Sequence, residues 1–346
     1  MSLDWFIGGA YISVSVMTER ERVEAVLHGR VPDRPPVSCW YHFGHDCSTG
    51  STAVEAHLRH LEAYGLDFLK VMNDHPYPRG EVALVRTVND LRRIRPLAGD
   101  AERLADQLGV LRRLKERLVG DVPMCATLFN AWTVLRAWTR PPSDVHAPPR
   151  IDGQDDRDAL LSALLREDRV AVKAAVAAIG QTLGAFARGC VDAGADGVFL
   201  SVRDDWVDTP ANGQGLYREL VRPVDLAILE AVSGAPFSVL HVCGRPRDFL
   251  GFSEYPVAVL NWSDRATGPS IAWARDRIGP AIAAGVDNLR TLPEGTPEEC
   301  AAEVRDALRQ AGERPIIIAP GCTYDPAQVP VENVRAMFQA ARGGAG

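Results

Sequence analysis

The sequence predicts an α/β fold, a (β/α)8 TIM barrel with an N-terminal helical extension. Three observations predict it. Apolar runs of strand length recur eight times, most of them bounded by Gly, Pro or Asp, as buried parallel strands are. Helical stretches alternate with them. Polar residues gather where the runs end, the rim at which barrel enzymes build their sites. The competing arrangement is a doubly wound sheet with extra strands.

Residues 1–17 read as an extension ahead of a single barrel domain, 18–346. The extension is apolar, but it lacks a basic leading region and is too short to span a bilayer. It is expected to be disordered, or to lie upstream of a true start at Met17. Thr18 with Glu21 makes a capping box, and Gly29 can close the helix that follows. This helix is expected to close the bottom or side of the barrel.

The apolar runs are 37–43, 67–72, 122–129, 197–202, 237–243, 258–262, 288–292 and 315–319. Helices are expected at 52–64, 100–118, 168–193, 214–231 and 269–284, after the first, second, third, fourth and sixth runs. The fifth connection, 245–255, has room only for a short helix. After the seventh run, Thr296-Pro297-Glu298-Glu299 supplies a cap, a proline at the first helical position and a carboxylate at the third. That helix should end near Gly312, and a last one should span 331–342. The proline-rich stretch 140–150 reads as an exposed excursion after the third run.

The chain carries 46% hydrophobic residues among its 346, ample for a sizeable core. Its net charge of −7 argues against a nucleic-acid binder. Lysine occurs only at 70, 115 and 173, a bias read as compositional. Seven cysteines, an odd number without a regular framework, point to a reducing, cytoplasmic setting and no disulfide scaffold. No membrane association is expected, and oligomeric state is open, a homodimer included.

The chemistry centres on His241-Val-Cys243-Gly244 and the distant Gly321-Cys322. Imidazole and two thiolates are soft ligands suited to zinc, and three protein ligands leave a fourth position open. His241 and Cys243 end one apolar run, and residues two apart on a strand face the same side. Cys322 ends another. The plainer reading is that these are buried strand residues, since free cysteine behaves as a small hydrophobe. Other candidates at strand ends are His42, His45, Asp74, Asn130, Arg203 and Asp264, with Asp46, His75, Asp204, Asp205 and Arg290 nearby. Asp74 could orient a ligand imidazole, polarise substrate or serve as fourth ligand; capping or a loop ion pair is the alternative. Trp40, Tyr41 and Trp262 could line a pocket or fill core. Cys39, Cys125, Cys190 and Cys300 lack ligand spacing and read as structural.

At these residues the chain resembles the uroporphyrinogen decarboxylase superfamily. The similarity runs from about Thr18 to Arg342. Glu19-Arg-Glu-Arg-Val-Glu-Ala-Val-Leu-His-Gly-Arg-Val-Pro-Asp-Arg-Pro-Pro-Val37 looks like that superfamily's first helix and approach to strand one. Ala319-Pro-Gly-Cys322 and Pro330-Val-Glu-Asn-Val-Arg-Ala-Met337 look like the end of its zinc methyltransferase branch, which serves corrinoid proteins and thiol acceptors. The resemblance implies zinc on His241, Cys243 and Cys322, with Asp74 at the aspartate that decarboxylases use. It implies methyl transfer to a small-molecule thiol from a corrinoid, carried on a separate protein because no Asp-x-His-x-x-Gly motif occurs here. Two departures are visible. The Arg-rich loop that receives porphyrinogen carboxylates is replaced by Trp40-Tyr-His-Phe-Gly-His-Asp46. The Gly-Asn-(Ile/Leu)-Asp-Pro run is replaced by Gly285-Val-Asp-Asn-Leu-Arg290. The alternatives are a cofactor-independent decarboxylase and a non-catalytic corrinoid- or tetrapyrrole-binding barrel.

Overall fold

Local signals set most element boundaries. In the computed structural model, which describes residues 2–7, 10–119, 121–141 and 156–343, nine strands form two sheets. Strands β1 (Ser2–Ile7) and β2 (Ala10–Ser15) pair antiparallel as a hairpin, so the apolar N-terminal extension takes β structure. The main sheet is parallel and runs in chain order: β3 (Leu69–Val71), β4 (Met124–Phe129), β5 (Gly197–Val202), β6 (Val239–Val242), β7 (Val259–Trp262), β8 (Ala281–Val286) and β9 (Ile316–Pro320). The helices are α1 (Glu19–Leu27), α2 (Gly50–Tyr64), α3 (Val88–Arg93), α4 (Arg103–Arg117), α5 (Ala131–Ala137), α6 (Asp156–Glu167), α7 (Arg169–Asp192), α8 (Arg222–Glu230), α9 (Phe249–Ser253), α10 (Ile271–Ala274), α11 (Thr291–Glu294), α12 (Pro297–Ala311) and α13 (Val331–Ala341).

The expected capping boxes are present. Thr18 and Glu21 exchange side-chain and backbone hydrogen bonds at the start of α1, and Thr296 and Glu299 do the same at α12. Each box satisfies two N–H groups that a helix start would otherwise leave bare. Val23 and Val26 of α1 pack with Phe68, Phe237 and Ile317 inside the curled sheet, so this helix plugs the end where the strands begin. Helix α7 is long and apolar enough to cross a membrane, but about two-thirds of its most apolar stretch is buried. It packs against α3, α5 and α8 as a central core helix.

The structure departs from the expected elements in several places. Residues 281–284 were expected to end a helix, and 281–286 instead form β8, buried on both faces. Burial in a parallel sheet overrides the local preference. The expected strand 288–292 is a turn leading into α11, and Arg290 lies exposed at that turn. The expected helix 269–284 shrinks to α10. Helices α3, α5 and α6 were not foreseen; the proline-rich stretch between α5 and α6 lies, beyond residue 141, outside the described residues.

The first expected strand is reduced to one bridge, Val37 to Ile318. Ser38 N–H donates to the Ile318 carbonyl at 3.1 Å, and Ile318 N–H to the Pro36 carbonyl at 2.9 Å. On the other side Asp67 N–H donates to the Val37 carbonyl at 2.8 Å. Residues 36–38 therefore bond to β9 and to the residues leading into β3. Pro35 and Pro36 offer no N–H, which shortens the ladder on its N-terminal side.

A buried acid outside the rim makes stability depend on pH. Asp225 of α8 is wholly buried and accepts hydrogen bonds from Tyr217 Oη, from Tyr255 Oη at 3.3 Å and from Asn130 Nδ2 at 3.4 Å. Burial pushes its carboxyl up to about 7. A folded-state value above the unfolded one favours the protonated form on folding. This contribution is full below about pH 4 and is lost as pH rises through about 7. Asp225→Asn should therefore lose less stability between pH 5 and pH 8 than the parent does, by on the order of 1–3 kcal/mol. Urea unfolding at several pH values checks this, and parallel profiles for the two proteins would refute it.

Candidate metal centre at the C-terminal rim

Strand alternation assembles the centre. Phe237, just before β6, and Val239 and His241 within it alternate onto the interior of the curled sheet, and Cys243 follows one residue past the strand end. Cys322 follows β9 at the same rim. The ligand atoms of His241, Cys243 and Cys322 all lie within 4.8 Å of one another, and the two Sγ atoms are 4.0 Å apart. Two thiolates on a tetrahedral zinc, each about 2.3 Å from the ion, would stand about 3.8 Å apart.

Asn261 fixes the imidazole. Its Nδ2 donates to the Ala283 carbonyl at 2.8 Å and the Pro320 carbonyl at 3.2 Å, so its Oδ1 is the acceptor left for His241. His241 Nδ1–H donates to that oxygen at 2.6 Å. Nε2 then carries the lone pair. It is buried without a hydrogen-bond partner. A buried acceptor without a partner is costly, and a ring whose other nitrogen is held by a hydrogen bond is how proteins present histidine to a metal. The donor set and the orphaned nitrogen fit a metal ion.

Both cysteines adjoin a glycine that space requires. A Cβ on Gly244, which also has φ +71, would sit 2.4 Å from the Arg203 guanidinium. One on Gly321 would sit 2.6 Å from Ser263. The hydrogen bond from Cys243 lowers Cys322 well below the usual thiol range, against the effect of burial, and the same bond pushes Cys243 well up. One thiol of the pair ionises well before the other.

The remaining candidates separate into neighbours of the centre and parts of the scaffold. Arg203 borders the centre through Gly244, but its guanidinium is spent on Asp205, at 2.8 and 2.6 Å, and on the face of Trp206. Asp74 is buried and stands apart from the ligand cluster. It accepts from His42 Nδ1 at 2.5 Å and from Phe43 N–H at 2.9 Å. Burial raises its carboxyl, but the His42 bond and charge outweigh that and hold it low. Orienting the ligand imidazole, one role considered for Asp74, thus falls to Asn261. His42 keeps a part-exposed ring held by Asp74. His45 opens a short helical turn, His45–Cys47, and its side chain lies outside the described residues.

Two expected substrate contacts have partners within the scaffold. Asn130 caps α5 by accepting from Thr133 N–H at 3.1 Å, and its amide reaches Asp225. Asp264 accepts from Gly285 N–H at 3.0 Å and pairs with Arg265 at 3.2 Å. Asp204, too, is spent on the backbone N–H groups of Arg247 and Asp248. Trp40 and Trp262 are core residues. Burial pushes the thiols of Cys39, Cys125 and Cys300 up to about 12, which leaves them protonated.

Asn261, a polar residue at the end of the sixth run, and Lys70 were assigned no role from the sequence. Asn261 faces inward by the alternation of Val259, Asn261 and Ser263, and a polar residue at an inward position of an apolar run was the available signal. Lys70 carried the same signal within Asp67-Phe-Leu-Lys-Val-Met72.

A family model described as uroporphyrinogen decarboxylase (URO-D) matches residues 54–344. The chain belongs to the uroporphyrinogen decarboxylase family. Among solved structures, this family member is similar to a methyltransferase from Methanosarcina mazei, with a TM-score of 0.68 at 18% identity, over 94% of this chain and 98% of that one. It is also similar to a B12-independent methionine synthase from a Shewanella species, with a TM-score of 0.51 at 12% identity, over 84% and 85% of the two chains. At these identities the likeness is one of fold. No curated protein sequence matches the chain.

Proposed function

We propose that this family member is a zinc-dependent methyltransferase that moves a methyl group from a corrinoid, carried on a separate protein, to a small-molecule thiol. The observation that carries this reading is the convergence of His241 Nε2 with the Cys243 and Cys322 thiols at the rim where the strands end. His241, Cys243 and Cys322 would hold the ion, with Asn261 keeping the imidazole in the tautomer that exposes Nε2. Bound there, zinc would lower the pKa of an acceptor thiol while leaving its sulfur nucleophilic. His42, held by Asp74, offers a part-exposed ring for contact with an incoming substrate. The two structural relatives, a methyltransferase and a methionine synthase, agree with methyl transfer as the reaction class. In the same reading the seven-stranded sheet closes as an eight-stranded barrel through residues 36–38, which hydrogen-bond on both sides.

The test is an anaerobic assay of zinc-supplied protein with methyl-cobalamin and a panel of thiols, in parallel with uroporphyrinogen. Thioether formation that disappears in Cys243→Ser is the expected result. Coproporphyrinogen formation unaffected by Cys243→Ser would replace this reading with the decarboxylase one. The expectation against decarboxylation rests on the segment 40–46, which holds no arginine. A substrate with many carboxylates needs several cations, and bidentate arginine supplies that pairing best.

A further inference from the structure

Lys70 sits in the middle of β3 with its side chain turned inward. Phe68 and Met72, two residues to either side, pack with Trp40 and Phe199 in the interior of the sheet, whereas Leu69 and Val71 join the outer cluster under the helices. Lys70 is only 5% exposed. Its Nζ donates to Met72 Sδ at 2.9 Å and lies 4.5 Å from the Phe199 ring centroid and 5.8 Å from that of Trp40. A thioether is a weak acceptor, and ring faces attract a cation only modestly. No carboxylate among the described residues forms an ion pair with it. A buried ammonium without a counter-charge costs several kcal/mol, so the question is which anion it serves.

Burial lowers Lys70 to about 8, and four groups act against that, in the order Cys322, Cys125, Asp74 and Cys243. His57 faces it from α2 and adds no negative charge. Asp74 is committed to His42 and the Phe43 N–H. Cys125, pushed up to about 12, is a neutral thiol. The remaining two groups belong to the rim centre, whose thiols would both be thiolates with a metal bound. The Phe199 ring that carries the ammonium on its face also packs on the His241 imidazole, with centroids 5.6 Å apart and planes 31° from parallel. Arg203, the other buried cation beside the centre, is already paired with Asp205.

We propose that Lys70 is a positioning residue whose ammonium is the counter-charge to anionic sulfur at the His241–Cys243–Cys322 centre, making that centre prefer an anionic ligand over a neutral one in its open position. The inference rests on the metal-centre reading above. A divalent ion with two thiolates and a neutral imidazole is neutral overall, and an anionic fourth ligand leaves one net negative charge inside a poorly solvated sheet, where a nearby unpaired cation stabilises it.

The test uses the full chain loaded with cobalt(II), titrated with 2-mercaptoethanol and separately with imidazole at one pH, and followed by visible absorption. Lys70→Met should weaken thiol binding about tenfold, equivalent to about 1.4 kcal/mol, and leave imidazole binding unchanged. Lys70→Arg, which keeps the charge, should retain the thiol preference. A scaffold role alone would move both ligands together, so equal weakening of both, or no change in either, overturns the proposal. If Lys70→Met does not fold, Lys70→Gln supplies the same comparison. Failure of the parent chain to hold cobalt would instead overturn the metal-centre reading, and the role of Lys70 with it.

Discussion

Cys243→Ser and Cys322→Ser are each expected to abolish stoichiometric metal binding, and His241→Ala to do the same. The parent chain, prepared with zinc and without chelator, should carry one zinc per chain. Each substitution removes one of three protein ligands, and a hydroxyl does not replace a thiolate as a soft donor. Asn261→Ala should act more mildly. It frees the imidazole to rotate and to change tautomer, and loss of such an outer partner costs roughly 10–100-fold in metal affinity. Because the thiols must deprotonate to bind, affinity should fall with pH in every variant that still binds. Elemental analysis with a competing chelator reads all of this. A metal-free parent protein, prepared with zinc present, would remove the basis for the proposed reaction.

How much of this centre was legible in the sequence depended on the range of the interaction. His241 and Cys243 could be placed together because strand alternation is local and has a period of two. Cys322 could be added because it ends a second apolar run. Asn261 could not, because its role comes from the carbonyls of Ala283 and Pro320, on strands whose pairing no local pattern states. The same limit explains Asn130 and Asp264. Both end strands, as site residues would, yet their partners are a helix start and a neighbouring strand. For the fold, capping boxes at Thr18 and Thr296 and the length of α7 were readable from neighbours in sequence. Strand β8 was not, since Ala281-Ile-Ala-Ala-Gly-Val286 has no polar alternation and is half alanine, and its position between β7 and β9 makes it extended.

The last expected result is a stability loss where residues 36–38 bond to β9 and to the approach to β3. Asp67 is wholly buried just before β3. Its carboxylate takes the Arg22 guanidinium of α1, the Arg34 guanidinium at 2.7 and 3.1 Å, and the Val37 N–H at 2.8 Å. One side chain therefore ties the plugging helix, the segment that bridges to β9 and the first strand of the main sheet. Arg22 is itself buried, and Asp33 supplies its other carboxylate. Asp67→Ala leaves part of that cation's charge unmet and strips the Val37 N–H of its acceptor. Removing one partner of a buried pair costs roughly 3–5 kcal/mol, and the remaining Asp33 contact puts the expected loss toward the lower figure. Asp67→Asn keeps an acceptor for Val37 and should lose less. Urea unfolding at neutral pH measures both. A loss below about 1 kcal/mol in Asp67→Ala, the range of exposed ion pairs, would mean that this junction is held by the Val37–Ile318 bridge and apolar packing rather than by this carboxylate. A loss near 3 kcal/mol with the metal centre still loaded would show that the bridging segment is stabilised independently of the rim, as the distance between Asp67 at the start of β3 and the ligands at the strand ends leads one to expect.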